Sequence, residues 1–152
     1  MILEFLVSAL ATIAFAVLFG VPRRYYLHCG LVGMVSWATY RILGVYVGLG
    51  EATSTLAATI IVTLLSRLLA VRERCPVTLF LITGIIPLVP GAGIYWTAYY
   101  LVTSQLSDAL QSGLSSTKIS VAIMLGIVLS FELPERLFHK KKTGASSQTE
   151  PK

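Results

Sequence analysis

Apolar residues run along this chain in five long stretches separated by short polar connections. The stretches are Ile2 to Phe19, Tyr25 to Val47, Thr53 to Val71, Pro76 to Thr103 and Thr117 to Leu133. Each reaches the roughly 17 to 25 residues with which a helix crosses the hydrocarbon core of a bilayer. The pattern therefore predicts an all-α integral membrane protein of five transmembrane helices. The connections, Val21 to Arg24, Gly48 to Ala52, Arg72 to Cys75 and Ser104 to Ser116, are too short for an extramembrane domain and set neighbouring spans antiparallel. Residues 1–138 read as one membrane domain. Residues 139–152, basic and then polar, read as a disordered cytoplasmic tail with too few apolar side chains to bury.

The fourth stretch cannot form one uninterrupted helix. Its centre, GIIPLVPGAGIYW from Gly84 to Trp96, carries Pro87, Pro90, Gly91 and Gly93. A proline lacks an N–H and crowds the carbonyl four residues back, so Pro87 and Pro90 are expected to free the carbonyls of Thr83 and Ile86. A second half-helix beginning near Gly91 would present the N–H groups of residues 91–94 inside the membrane. Irregular backbone survives at that depth where it is packed in protein or lines a wet cavity, which makes the break the first place to look for a substrate. Unpaired N–H groups at a helix start favour an anion. A proline kink packed on a neighbouring helix is the alternative.

Composition agrees with a membrane protein. Of 152 residues, 55% are hydrophobic and only 12% charged, and the mean hydropathy is +0.79, whereas an ordinary soluble domain is about a quarter charged. The net charge of +5 reads as topology and gives no basic patch for nucleic acid. Arg23 and Arg24, Arg72 and Arg74, and Arg136 with Lys140 to Lys142 all belong on the inner side. Glu51 and Asp108 then face outward, giving N-out, C-in. A re-entrant hairpin at the break would put the last basic cluster outside, so one crossing by two half-helices fits better. The first stretch has Glu4 and no Lys or Arg at its start and is followed by the pair Arg23 and Arg24, so it reads as a retained span and not a signal peptide. Two cysteines outside any CxxC spacing and two unpaired histidines give no metal site, and no cofactor is implied.

Together these features resemble the threonine/serine exporter superfamily (ThrE type), specifically its purely membrane-embedded second half, which also occurs as a separate small subunit. The resemblance runs nearly end to end. It rests on Phe19-Gly-Val21-Pro22-Arg-Arg24, on Cys29 with Gly33, on Ser66-Arg67, on Pro76, and on Ile86-Pro87-x-x-Pro90-Gly91-x-x-x-Tyr95, the most specific of these motifs. Arg41 departs from the pattern, standing one residue from the family's arginine. The resemblance implies export of a small carboxylate metabolite, threonine or serine in some members and dicarboxylates such as succinate in others, across the plasma (inner) membrane. It also implies a larger exporter subunit as partner, with a cytosolic domain and its own spans. Two five-span halves insert in opposite orientations, the inverted-repeat arrangement of alternating-access transporters.

The candidate substrate-binding residues are Pro87, Pro90, Gly91, Gly93, Tyr95 and Arg41. Tyr95 and Tyr99 share a face just beyond the break, and Trp96 and Tyr100 read as an interfacial belt in contact with membrane lipid. Arg41 and Arg67 lie within spans, where snorkelling is the default and attraction of a carboxylate the functional alternative. No acidic residue stands near the midplane to couple protons. Gly44 and Gly48 form a GxxxG packing signal, and Ser54, Thr55, Ala57 and Ala58 give the third span a small face suited to close helix packing. No nucleophile–base pair or carboxylate pair points to an enzyme. A non-transporting membrane scaffold or assembly subunit is the competing function.

Overall fold

The computed structural model describes residues 2–132. Six helices follow one another: α1 (Ile2–Leu18), α2 (Tyr26–Val45), α3 (Glu51–Glu73), α4 (Val77–Ile85), α5 (Gly91–Val102) and α6 (Leu106–Glu132). Among the described residues there is no strand. The end of the fifth predicted span at Leu133, the basic cluster from Arg136 to Lys142 and the tail 139–152 lie outside the described residues. α3 and α6 are each long and apolar enough to cross a membrane, and α4 with α5 makes a third such element bent by 51°. α1 is apolar but only 17 residues long. α2 has the length but carries His28, Ser36, Thr39 and Arg41, which lower its hydropathy.

Helix α3 is the centre of the molecule, packing against α2, α4 and α6. Its buried residues run as a double stripe, Ser54 and Thr55, Ala58 and Thr59, Val62 and Thr63, Ser66 and Arg67, then Ala70. Residues four apart share a helix face, so this stripe of small side chains brings neighbouring backbones close. Thr55, Thr59 and Thr63 each donate to the carbonyl four residues back, at 2.7, 2.8 and 2.8 Å. The hydroxyls are satisfied without water. Glycines on the other helices complete the fit: a Cβ on Gly126 of α6 would fall 2.8 Å from Thr59 Cβ, and one on Gly84 of α4 would collide with Val32 of α2.

At one end, Ala16, Val21, Tyr25, Cys29, Ala70 and Phe80 form an apolar cluster, with the Tyr25 and Phe80 rings edge to face at 5.6 Å. The chain enters α2 through a helix stop centred on Gly20, whose φ of +69° is open to glycine at little cost. Val21 N–H donates to Ala16 O and Gly20 N–H to Val17 O, the paired bonds of a Schellman ending. Both cysteines are free thiols. Burial pushes the thiol of Cys75, in the α3–α4 connection, above its ordinary range, opposed by a hydrogen bond with Tyr25.

Three expectations are corrected by the fold. The loop read from Ser104 to Ser116 is helical from Leu106, leaving three residues between α5 and α6. Its serines made it look like loop, yet Ser116 donates to the Ser112 carbonyl one turn back at 2.9 Å, as Ser120 farther along α6 does to Ser116, so the helix tolerates them. The GxxxG pair is not a helix face, because α2 stops at Val45 and Gly48 turns the chain with φ +70°. Arg67 does not snorkel. It is 7% exposed, donates to the Ser130 carbonyl of α6 and lies over the Phe131 ring. The guanidinium thus links α3 to α6, which satisfies it more directly than a long reach to water would.

Candidate functional site

The break between α4 and α5 is a specific piece of backbone. After Ile85 the chain tightens into a single 3-10 turn, Ile86–Leu88, with Pro87 in its first positions, where a missing N–H costs nothing. Val89 is extended, and Pro90 (φ −76°, ψ 55°) holds an inverse γ-turn in which Gly91 N–H donates to Val89 O at 2.7 Å. Val89 N–H donates to Ile86 O at 3.2 Å and Ile94 N–H to Pro90 O at 3.0 Å. These bonds correct the expected inventory of free groups. The Ile86 carbonyl is not freed, since the 3-10 turn supplies a donor, and the N–H groups of Gly91 and Ile94 are engaged. Those of Ala92 and Gly93, in the first turn of α5, have no partner among the described residues.

The break opens into a cleft of about 370 Å³, within the size range of small-molecule sites. Residues 87–93 form one wall. Trp37 and Tyr40 of α2, Glu51 and Thr55 of α3, and Ser112, Ser115, Ser116 and Ile119 of α6 form the rest. Helix α5 is held against α6 at Gly93, whose carbonyl accepts from Ser112 Oγ at 3.2 Å and whose missing side chain makes room for Ser116. Gly91 is different. A Cβ there would meet nothing within 4 Å, because the space beside it is open cleft. The indole N–H of Trp37, another lining residue, is buried without a hydrogen-bond partner.

Of the six residues singled out from sequence, four come together here: Pro87, Pro90, Gly91 and Gly93. Tyr95 does not. Two residues beyond Gly93, it is turned by about 200° around the helix and stands 62% exposed in a run of rings with Trp96, Tyr99 and Tyr100. Arg41 does not either. Its guanidinium pairs with Glu4 of α1 at 3.1 Å and lines a separate pocket of about 170 Å³ that shares only Tyr40 and Glu51 with the larger cleft. The wall residues of α2, α3 and α6 were not singled out as site residues. The serines were missed because they were read as loop. Glu51, the only charged residue of the connection between the second and third spans, was the available signal.

Among the described residues no cluster of three or more His, Cys, Asp or Glu side chains is placed to hold a metal. What the cleft offers is two backbone N–H donors at a helix start, a carboxylate, hydroxyls and an indole. Such a set has the donors and acceptors to hold a small polar molecule. Residues 4–132 match the model of the family described as Threonine/Serine exporter, ThrE. No solved structure matches the chain.

Proposed function

Since the chain belongs to the threonine/serine exporter family, a family of membrane transporters, we propose that it is the membrane-only subunit of a two-component exporter of small carboxylate-bearing metabolites. Its substrates are threonine- or serine-type amino acids or dicarboxylates such as succinate. A larger subunit with a cytosolic domain and its own spans supplies the other half, and the two work by alternating access in the plasma membrane. In this reading α1, α2, α3, α4 with α5, and α6 are five spans, N-out and C-in. The 51° bend between α4 and α5 favours one bent crossing over a hairpin, which would reverse direction.

The observation that carries the proposal is the coincidence of the break with the cleft. Pro87 and Pro90 end one helix inside the protein, and α5 starts there with two N–H groups unpaired and open space beside Gly91. A carboxylate placed against those N–H groups meets the positive end of the α5 dipole. Deleting the gene is expected to raise the cellular level of the exported metabolite several-fold, with return to normal only when this chain and the larger subunit are both present. If no carboxylate metabolite accumulates, the scaffold reading takes its place. If this chain reconstituted alone reaches the full rate, the two-component part fails.

A further inference from the structure

We propose that Glu51 is the specificity-determining residue of the cleft, selecting substrates that carry an ammonium group beside their carboxylate and disfavouring dicarboxylates. The inference rests on the cleft being the substrate path. Glu51 is the first residue of α3 and the one charged residue among those lining the cleft. Its carboxylate has no hydrogen bond or ion pair among the described residues, in contrast to Glu4, held by Arg41, and Glu73, which lies 3.9 Å from His28. Arg41 borders the adjoining pocket together with Glu51, but its charge is already matched by Glu4.

The cleft is therefore bipolar. The start of α5 favours a negative group, and Glu51 favours a positive one. A zwitterion satisfies both, its carboxylate at the Ala92 and Gly93 N–H groups and its ammonium toward Glu51. A dianion brings a second carboxylate into a space that already holds one, and the like charges repel. A glutamate in the first turn of a helix also steadies that helix through its dipole. That structural role does not distinguish between transported molecules, so a substrate ratio separates the two.

The test uses cells or proteoliposomes holding the complete exporter, loaded with labelled L-threonine and, separately, succinate. The wild type is expected to export threonine faster. Glu51→Gln is expected to slow threonine about tenfold, the loss of one charge contact of moderate strength, while succinate export holds or rises; Glu51→Asp keeps the preference for threonine. Membrane levels of each variant are measured, and Glu51→Ala is expected to shift the ratio in the same direction. Two results overturn the assignment: a wild type that prefers succinate, or a ratio that Glu51→Gln leaves unchanged at normal membrane level, whether both fluxes hold or both fall equally. Gly91→Leu serves as the control. If it leaves both fluxes intact, the cleft reading itself fails; if it stops both while Glu51→Gln leaves the ratio unchanged, only the role of Glu51 is lost.

Discussion

Gly91→Leu is expected to reduce export to the background of cells lacking the gene while leaving the amount of protein in the membrane unchanged. The two halves of this expectation come from the same geometry. Gly91 has a φ outside the left-handed region, and a Cβ on it would touch nothing within 4 Å. A leucine is therefore accommodated without the overpacking that destabilises a filled core. The same side chain projects into the cleft beside the unpaired N–H groups of Ala92 and Gly93, where the substrate carboxylate is proposed to sit. Gly91→Ala adds one methyl group to open space and should retain most of the transport. Radiolabelled efflux with quantitative immunoblotting of the membrane fraction checks both halves. Normal efflux from the leucine variant removes the cleft as the transport path.

The largest loss of stability is expected at a glycine of the opposite kind. A Cβ on Gly33 of α2 would fall within 3.0 Å of three Thr12 side-chain atoms on α1. Thr12 has little freedom to yield: it is fully buried, its χ1 is restricted by branching, and its hydroxyl donates to Ser8 O at 2.8 Å. Ser8 Oγ in turn donates to Gly33 O at 3.1 Å, so a forced separation of α1 from α2 also breaks that bond. Gly33→Ala is expected to cost about 1 to 3 kcal/mol, the usual range for overpacking, seen as a lower unfolding midpoint in detergent. Combined with Thr12→Gly, which removes all three clashing atoms, the two costs should sum to less than their separate values. A Gly33→Ala variant that melts with the wild type contradicts this packing.

The sequence carried the break well because proline chemistry is local. Pro87 and Pro90 interrupt a helix through their own backbone chemistry, and α5 begins at Gly91, where the second half-helix was expected. The bounds of α1 to α3 were legible for a similar reason, set by apolar runs with glycine, proline and arginine at their ends. The start of α6 was not legible, because a serine-rich helix turn and a serine-rich loop have the same composition. Only the hydroxyl-to-carbonyl bonds within α6 and the contact of Ser112 with Gly93 tell them apart.

The arginines were misjudged through their partners. Arg41 and Arg67 find Glu4 and the Ser130 carbonyl, 37 and 63 residues away in sequence, and no local spacing announces such pairs. The remaining wall of the cleft belongs to the same class of information. Trp37, Glu51 and Ser112 meet only because α3 packs between α2 and α6 while α6 carries α5.

Substrate occupancy of the cleft at the start of α5 can be read at Ala92, which lines the cleft, is exposed and has a free N–H. Ala92→Cys is made with Cys29→Ala and Cys75→Ala in the complete exporter, and the rate of modification by a water-soluble maleimide is measured with and without saturating threonine or succinate. The introduced thiol is expected to react readily, and a transported metabolite to slow the reaction severalfold. A thiol that does not react, or that neither metabolite protects, contradicts substrate occupancy of the cleft.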